Sequence, residues 1–343
     1  MKAAVIEKPG VLTVRDIPMP ETGDYDALCE ILYGATCTGT DLHLIHGRFP
    51  SPLNYPTVLG HESIGRVIEV GPKVRNFKVG DIITRVSTPP VGEYDVNWGG
   101  FAEYGIARDH WVAREDGLPR QEWDMARRNQ VVPPDIDPAG ATMIITWRET
   151  LSYLLRMGFC AGRSLLVIGS GGVGLSFVAH AAALGASRVG TIGNAEREEL
   201  ARAAGATDYF DYKAQDLEAA VSKACPDGYD FIIDAVGKGG LLDAALPFVK
   251  DGGTVGIYGI DDYGACTINP SRARGSFTYS QRHYDEEETH EQVIAFIQQG
   301  KLEADLFLDL DNPFPLERIN DACEAVAQRK VVKALVELSQ DRQ

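Results

Sequence analysis

Apolar and polar residues alternate in short runs through the first part of the chain. The runs KAAVIEK, LTVRDI, ALCEILY, SIGRVIEVG and VGDIITRVS are separated by turns that contain glycine and proline. Short alternating runs between such turns are typical of β-strands that bury one face. The pattern of residues 1–147 therefore predicts a mainly-β, barrel-like domain.

The pattern changes over residues 148–285, where apolar runs alternate with helical patterns. SLLVIG precedes an alanine-rich stretch, RVGTIG precedes AEREELARAAG, and YDFIIDAVG and GTVGIYGI supply further apolar runs. This alternation is typical of βαβ units that build a parallel sheet with helices on both faces. Residues 286–343 carry two helical patterns and a last strand, and we expect them to return to the first domain. Such a return would leave a ligand cleft between the domains.

A glycine-rich turn, Gly169-Ser170-Gly171-Gly172-Val173-Gly174, follows the apolar run SLLVI and opens a helical pattern. Its glycines allow a tight turn, a close approach of the backbone to a pyrophosphate, and close packing of helix on strand. The N–H groups at the start of the helix favour phosphate. With a strand before it and a helix after it, the motif predicts dinucleotide binding.

The end of the next strand bears on which dinucleotide is bound. An NAD site usually carries Asp or Glu about 20 residues beyond the motif, where it holds the ribose 2′-hydroxyl. Here that position is Gly193, followed by Asn194 and, one turn later, Arg197. A nearby arginine can pair with a 2′-phosphate, and the strand end has no carboxylate to repel that phosphate. The negative charges of Glu196 and Glu198 weigh against phosphate binding. The pattern favours NADP(H) over NAD(H).

Two polar stretches of the first domain carry candidate chemistry, the run CTGTDLH and the triplet GHE. Thiol, imidazole and carboxylate groups are the ligands of catalytic zinc, which needs three of them and an open position. The candidate ligands are Cys37, His61 and Glu62. Thr40 and His43 are placed to relay a proton to bulk water.

Composition and charge exclude several classes of function. The chain has 33 Lys+Arg against 49 Asp+Glu, a formal net charge of −16, which disfavours nucleic acid and anionic membrane surfaces as partners. The sequence lacks an apolar run of about 18 residues, and MKAAVIEKPG does not read as a secretory signal. We therefore expect a cytoplasmic protein. The six scattered cysteines do not suggest a disulfide framework.

Together these stretches resemble the medium-chain dehydrogenase/reductase superfamily, which includes the zinc alcohol, sorbitol, threonine and glucose dehydrogenases. The matching stretches are LYGATCTGTDLHLIHGRF, PTVLGHESIGRVIEVGPKVRNFKVGDIIT, GGFAEY, SLLVIGSGGVG, AAGATDYFDY, DFIIDAVG, GGTVGIYG and the LERINDACEAV and KALVEL segments. The resemblance implies an α/β chain with a GroES-like, mainly-β catalytic domain and a Rossmann-type domain with a doubly wound parallel sheet. It also implies hydride transfer between a nicotinamide and a small alcohol or carbonyl, in a homodimer or homotetramer.

The resemblance assigns roles residue by residue. Cys37 and His61 resemble zinc ligands, with Glu62 beside the metal, and Thr40 and His43 resemble the proton relay. Gly193 and Tyr212 resemble residues around the 2′-phosphate in the NADP-dependent branch. The full set of predicted cofactor residues is Gly169, Gly171, Gly172, Val173, Gly174, Gly193, Asn194, Arg197, Tyr212 and Val236.

The ligand loop departs from the family pattern by one residue. The family has C-x-[ST]-D, whereas this chain has C-T-G-T-D. Counted from the preceding strand, Cys37 is the ligand, but counted back from Asp41 and His43 the ligand position is Thr38.

Two further departures concern metal. Residues 85–120 contain no cysteine, so the lobe that holds a structural zinc in the family is missing. The family's remaining catalytic ligand would fall near Ile145 and Thr146, which are poor ligands, and the nearest carboxylates are Glu103 and Glu149. A catalytic zinc is therefore an open question, and we expect no structural zinc.

The leading prediction is an NADP-preferring dehydrogenase for a polyol or aldose, with zinc or the Thr40–His43 relay handling the proton. Asn97, Trp98, Arg148 and Glu149 are polar residues that would suit a hydroxyl-rich substrate near the cleft. One alternative is a zinc-free, NADPH-dependent reductase of carbonyls or double bonds. Another is a non-catalytic NADPH-binding protein, since the fold alone does not decide function.

Overall fold

The computed structural model describes residues 1–262 and 265–339. Its strands, in chain order, are β1 (Lys2–Lys8), β2 (Val11–Asp16), β3 (Asp26–Ala35), β4 (Thr57–Val58), β5 (Glu62–Val70), β6 (Ile82–Thr84), β7 (Asp95–Val96), β8 (Tyr104–Arg108), β9 (Val131–Val132), β10 (Ser164–Ile168), β11 (Arg188–Gly193), β12 (Asp208–Asp211), β13 (Tyr229–Asp234), β14 (Val249–Ile257), β15 (Phe277–Tyr279), β16 (Phe314–Pro315) and β17 (Leu335–Glu337).

The helices are α1 (Thr38–Ile45), α2 (His110–Glu115), α3 (Pro138–Ala141), α4 (Met143–Arg156), α5 (Gly172–Ala183), α6 (Glu198–Ala203), α7 (Leu217–Ala224), α8 (Leu241–Ala245), α9 (His290–Gln298) and α10 (Ile319–Ala327). In the described ranges, no helix has the length and apolar character needed to cross a bilayer.

The chain forms two compact units. The first contains Met1–Ile145, Glu286–Ile294 and the segment from Phe307 onward, and the second contains Thr146–Asp285 and Ala295–Leu306. The sequence pattern predicts that all of residues 286–343 belong to the first domain. Residues 295–306 differ from that assignment because they make most of their contacts within the second unit.

The first unit is built on two sheets. In the larger one, β3 pairs antiparallel with β5, β8 and β17. In the smaller one, β1 lies between β2 and β4. The apolar side chains of β3 alternate as predicted, because Cys29 and Ile31 are fully buried whereas Glu30 between them is partly exposed. The mainly-β prediction for this part of the chain is confirmed.

The second unit carries a six-stranded parallel sheet in the order β12-β11-β10-β13-β14-β15. Numbered within the unit, this order is 3-2-1-4-5-6, that of a doubly wound dinucleotide-binding sheet. Strand β10 is buried along its whole length, as expected for a central parallel strand with helices on both faces. The predicted α/β class with a Rossmann-type sheet is confirmed.

Candidate active site

The candidate metal ligands meet because three strands of the first unit are in register. Ala35, the last residue of β3, pairs with Glu62 at the start of β5 and with Leu335 at the start of β17. Residues just beyond these strand ends therefore come together at one edge of the sheet. Cys37 follows β3, His61 precedes β5, and Lys333 precedes β17.

The ligand atoms of Cys37, His61 and Glu62 all lie within 4.8 Å of one another, and we call these three residues the donor cluster. His61 and Glu62 are buried, and Cys37 is partly exposed at the N-terminus of α1. One sulfur, one nitrogen and one oxygen are a set that catalytic zinc accepts, with a fourth position open for substrate. The donors present therefore fit a zinc ion. Among the described residues this is the one such group.

Asp41 lies against the imidazole of the donor cluster. Its Oδ1 lies 3.2 Å from His61 Nδ1, and its Oδ2 accepts a 2.8 Å hydrogen bond from the Cys37 N–H. His61 Nε2 consequently faces Glu62, with 3.7 Å between Nε2 and Oε1. A carboxylate behind a histidine ligand is the usual support of a metal site. Burial opposes charging of His61, but Asp41 and Cys37 outweigh it and raise its pKa to about 10.

Glu62 is paired with a buried lysine. Lys333 Nζ lies 2.5 and 2.7 Å from the two Glu62 carboxylate oxygens, and it also donates to the Thr36 carbonyl at 3.2 Å. Burial lowers the pKa of Lys333, but the Glu62 carboxylate and Cys37 raise it by more, so the pKa lies above its ordinary value. The ammonium therefore remains charged next to the donor cluster.

A second buried ion pair fixes the backbone of the cluster. Arg85, which has a left-handed backbone (φ 58°), pairs with Glu286 at 2.8 Å. Its Nη1 donates to the His61 carbonyl at 2.7 Å, and its own N–H donates to the Ser63 carbonyl. Non-glycine residues rarely adopt this conformation, so the hydrogen bonds must hold it in place. Arg85 thereby restrains the backbone on both sides of Glu62.

The predicted relay residues lie on α1. Cys37 Sγ contacts Thr40 Oγ1 at 3.7 Å, so the Thr40 hydroxyl lies beside the donor cluster. His43 is one turn further along, where its Nδ1 donates to the Gly39 carbonyl at 2.6 Å. That bond leaves His43 Nε2 free to accept a proton. Thr38, the other position considered for the ligand, is exposed and lies outside the cluster.

An open cavity of about 370 Å³ lies in the first unit, and its lining residues do not include those of the donor cluster. The ring of Trp98, one of its walls, lies 5.2 Å from the His61 ring. The cavity is lined by Ser87, Thr88, Pro89, Val96, Asn97, Trp98, Met125 and Arg128. Hydroxyl, amide and guanidinium groups on an aromatic wall are suited to a small polar substrate.

The other polar residues and carboxylates considered from the sequence belong neither to the donor cluster nor to the lining of this cavity. Arg148 is fully buried in α4, and Glu149 accepts a 3.0 Å hydrogen bond from the Tyr258 hydroxyl in the second unit. Glu103 accepts from the Lys2 N–H. Ile145 is buried and aliphatic, so it supplies no donor to a metal.

The glycine-rich turn follows β10 in the second unit and has the geometry of a phosphate cradle. Gly169 has φ +115°, and a Cβ on Gly174 would lie 2.1 Å from the Gly169 carbonyl oxygen. A Cβ on Gly171, by contrast, would meet nothing within 4 Å. Gly169 and Gly174 are therefore required by the fold, whereas Gly171 keeps a space open at the N-terminus of α5. The residues present fit a dinucleotide pyrophosphate.

The turn after β13 closes the other side of this loop. Asp234 Oδ1 accepts from the N–H groups of Val236 and Gly237, at 2.9 and 2.8 Å. A Cβ on Gly169 would lie 2.9 Å from Val236 Cγ2. The structure thus brings the predicted cofactor residue Val236 against the first glycine of the motif.

The end of β11 is tightly packed. A Cβ on Gly193 would lie 2.4 Å from both Ser170 Oγ and the Tyr209 hydroxyl. Ser170 Oγ accepts from the Asn194 N–H, and the Tyr209 hydroxyl donates to the Asn194 carbonyl. A side chain at position 193 would therefore force Ser170 or Tyr209 to move, so the glycine there has a packing reason as well.

The remaining predicted residues of the 2′-phosphate pocket lie near this strand end. Asn194 starts the turn Ala195–Arg197, and the Tyr212 N–H donates to the Gly193 carbonyl at 3.0 Å. Tyr212 is 45% exposed, so its ring can contact a ligand. The Asp211 backbone pairs with Gly193 and adds a further carboxylate to this neighbourhood.

Sequence reasoning missed four residues of the site: Asp41, Arg85, Glu286 and Lys333. Asp41 follows Cys37 by four residues at the start of a helix, a local spacing that indicates the contact between its carboxylate and the Cys37 N–H. The other three act on the cluster across long separations, since Lys333 is 271 residues from Glu62 and Glu286 is 201 residues from Arg85.

Two family models match this chain. Residues 23–119 match the alcohol dehydrogenase GroES-like domain, and residues 172–299 match zinc-binding dehydrogenase. The GroES-like part of the predicted fold is thus confirmed.

Three similar proteins illustrate the range of relatives. The NADPH-dependent alkenal/one oxidoreductase of Arabidopsis thaliana is 30% identical over 94% of this chain and 75% of its own length. D-arabinitol dehydrogenase 1 of Uromyces fabae is 25% identical over 98% and 97%. A protein from Sinorhizobium meliloti 1021, described as a zinc-binding dehydrogenase and solved bound to NADP, is 26% identical over 98% of both chains, with a TM-score of 0.79. The relatives are oxidoreductases, and this chain belongs to the medium-chain dehydrogenase/reductase superfamily.

Proposed function

We propose that this protein is an NADP(H)-dependent oxidoreductase that transfers hydride between nicotinamide and a small alcohol or carbonyl, with polyols and aldoses as the substrate class. The donor cluster with the Thr40 hydroxyl beside it is the observation that carries the proposal. The second unit supplies the phosphate cradle. The first unit supplies the groups that act on the substrate oxygen and its proton.

In alcohol oxidation, hydride leaves the carbinol carbon for the nicotinamide and a proton leaves the hydroxyl. A zinc ion held by Cys37, His61 and Glu62 would act as a Lewis acid on the substrate oxygen. Asp41 lies 3.2 Å from His61 Nδ1, on the side of the ring away from Nε2. Thr40 accepts the hydroxyl proton and passes its own toward solvent, with His43 as the outer acceptor.

The polar lining of the cavity supports the substrate class. Asn97 and Ser87 offer an amide and a hydroxyl group, and Trp98 offers a flat apolar wall. The Uromyces fabae relative is named for a polyol, D-arabinitol. A panel of polyols and aldoses with both cofactors, alongside metal analysis of the purified protein, tests the proposal. Turnover of simple aliphatic alcohols in preference to all polyols would overturn the substrate class.

The cofactor preference predicts a specific effect at Asn194. Asn194→Asp adds a carboxylate at the end of β11. Asp can still accept from the Glu196 N–H, but it loses the 3.3 Å hydrogen bond that Asn194 Nδ2 donates to Glu196 Oε2. We expect the Kd for NADPH to rise about tenfold or more, with little change for NADH, because the carboxylate repels the 2′-phosphate. Fluorescence titration measures both constants. Gly193→Asp is a poorer test, because its Cβ would collide with Ser170 and Tyr209.

Asn269→Asp is the matched control for this substitution. Asn269 also starts a short turn in the second unit, accepting from the Ser271 N–H, and it is exposed. The same added charge there is expected to leave both constants unchanged. Equal Kd values of the wild-type protein for NADPH and NADH would contradict the preference.

A second candidate function is a zinc-free, NADPH-dependent reduction of carbonyls or activated double bonds. The aliphatic side chain at Ile145 favours it, because that position supplies no further metal ligand. The Arabidopsis thaliana relative is named as an alkenal/one oxidoreductase. Full activity after dialysis against a strong chelator would select this function over the zinc-assisted one.

NADPH binding without turnover of any carbonyl or alcohol would indicate a non-catalytic protein. Assembly as a homodimer or homotetramer and a cytoplasmic location stay predictions.

A further inference from the structure

Lys333 is a buried lysine with its ammonium against the donor cluster. Its side chain is 2% exposed, and its Nζ lies 2.5 and 2.7 Å from the two oxygens of Glu62, which is equally buried. A charged group in such surroundings is strongly unfavourable unless it is paired. Each of these two charges therefore stabilises the other, and His61 Nε2, 3.7 Å from Glu62 Oε1, is the next polar neighbour of the carboxylate.

The same carboxylate is one of the three donors for a metal ion. A cation bound through Glu62 must lie close to the Lys333 ammonium, and like charges repel strongly in a buried site. The lysine and the metal therefore compete for one negative charge. The pairing of Leu335 with Ala35 brings the segment before β17, which carries Lys333, alongside the segment after β3, which carries Cys37.

We infer that Lys333 is a built-in counter-cation of the donor cluster. It keeps the cluster stable without metal, and it lowers the affinity of the cluster for zinc. The inference rests on the proposed zinc-binding role of Cys37, His61 and Glu62. A purely supporting role, in which Lys333 holds Glu62 ready as a ligand, has the opposite consequence, because removing an outer partner of a ligand usually weakens metal binding by about 10–100-fold.

The sign of the change in zinc affinity separates the two roles. The test is a zinc titration of chelator-dialysed protein in competition with a chromophoric chelator, comparing the wild type with Lys333→Met. We expect the zinc Kd to fall by about tenfold or more in the variant, because the repelling charge is gone. Lys333→Arg, which retains the charge, and Lys330→Met, which removes an exposed lysine three residues earlier, are expected to bind like the wild type.

Thermal unfolding of the same proteins tests the stabilising half of the inference. Metal-free Lys333→Met is expected to unfold at a lower Tm than the wild type, with most of the loss recovered by zinc. Glu62→Gln leaves the lysine unpaired and is expected to lower the Tm, whereas the double variant Glu62→Gln with Lys333→Met recovers it. If metal-free Lys333→Met fails to fold, the comparison is made between Glu62→Gln and the double variant. The double variant must then bind zinc more tightly than Glu62→Gln.

Zinc binding by Lys333→Met that is equal to or weaker than that of the wild type would overturn the inference, including the case in which neither binds. These measurements use no turnover. Failure of the proposed hydride transfer would therefore leave their result standing, and failure of the inference would leave the proposed reaction standing.

Discussion

Replacing Thr40 with valine is expected to lower kcat by about 100-fold or more, with the cofactor Kd unchanged. Valine keeps the shape of the side chain but removes the hydroxyl that lies 3.7 Å from Cys37 Sγ. Without it, the substrate proton lacks its first acceptor in the relay, and loss of a general acid–base group has this magnitude. Steady-state kinetics with a carbinol-deuterated substrate identifies conditions in which hydride transfer limits the rate.

Thr38→Val is the matched control for Thr40→Val. Thr38 lies on the same helix, two residues earlier and exposed to solvent, so the same atoms are removed away from the donor cluster. We expect its kcat to equal that of the wild type. An unchanged kcat for Thr40→Val under the same conditions would remove Thr40 from the mechanism.

Gly171→Ala is expected to raise the Kd for NADPH by about tenfold or more while leaving the Tm near that of the wild type. A Cβ at this position meets no protein atom within 4 Å, and Gly171 has an extended backbone (φ −81°) that alanine adopts freely. The added methyl group therefore enters only the space that we assign to the pyrophosphate. Fluorescence titration and thermal unfolding of one protein sample separate binding from stability.

Gly174→Ala provides the contrasting case. Its Cβ would lie 2.1 Å from the Gly169 carbonyl oxygen, so the turn itself must move. We expect a clear fall in Tm together with the loss of binding. An unchanged NADPH Kd for Gly171→Ala would mean that the dinucleotide does not lie against this turn.

The sequence was most informative where the residues of a site follow one another along the chain. The glycine motif, together with the apolar run before it, predicted a strand, a turn and a helix, because the conformation of a tight turn depends on neighbouring residues. The structure adds which glycines serve the fold and which serves the ligand: Gly169 and Gly174 are packed, and Gly171 is open. Gly193 illustrates the limit, because the contacts that exclude a side chain there come from Ser170 and Tyr209 on other strands and turns.

The donor cluster was predicted only in part, because some of its contacts come from residues that are distant along the chain. Cys37, His61 and Glu62 lie in recognisable local motifs, but strand pairing is needed to prefer Cys37 over Thr38. The partners of these residues depend on register over long distances along the chain. Lys333 reaches Glu62 only because β17 pairs with the end of β3, and no local pattern around Lys333 indicates that contact.

The central claim is that hydride passes directly from a carbinol carbon of the substrate to the nicotinamide. Its most direct test is to incubate the purified protein with NADP⁺ and polyols or aldoses deuterated at the carbinol carbon, and to determine the mass of the NADPH formed. We predict NADPH that carries one deuterium from the substrate, at C4 of the nicotinamide. NADPH without that deuterium, or no NADPH with any member of the panel, would contradict the proposed function.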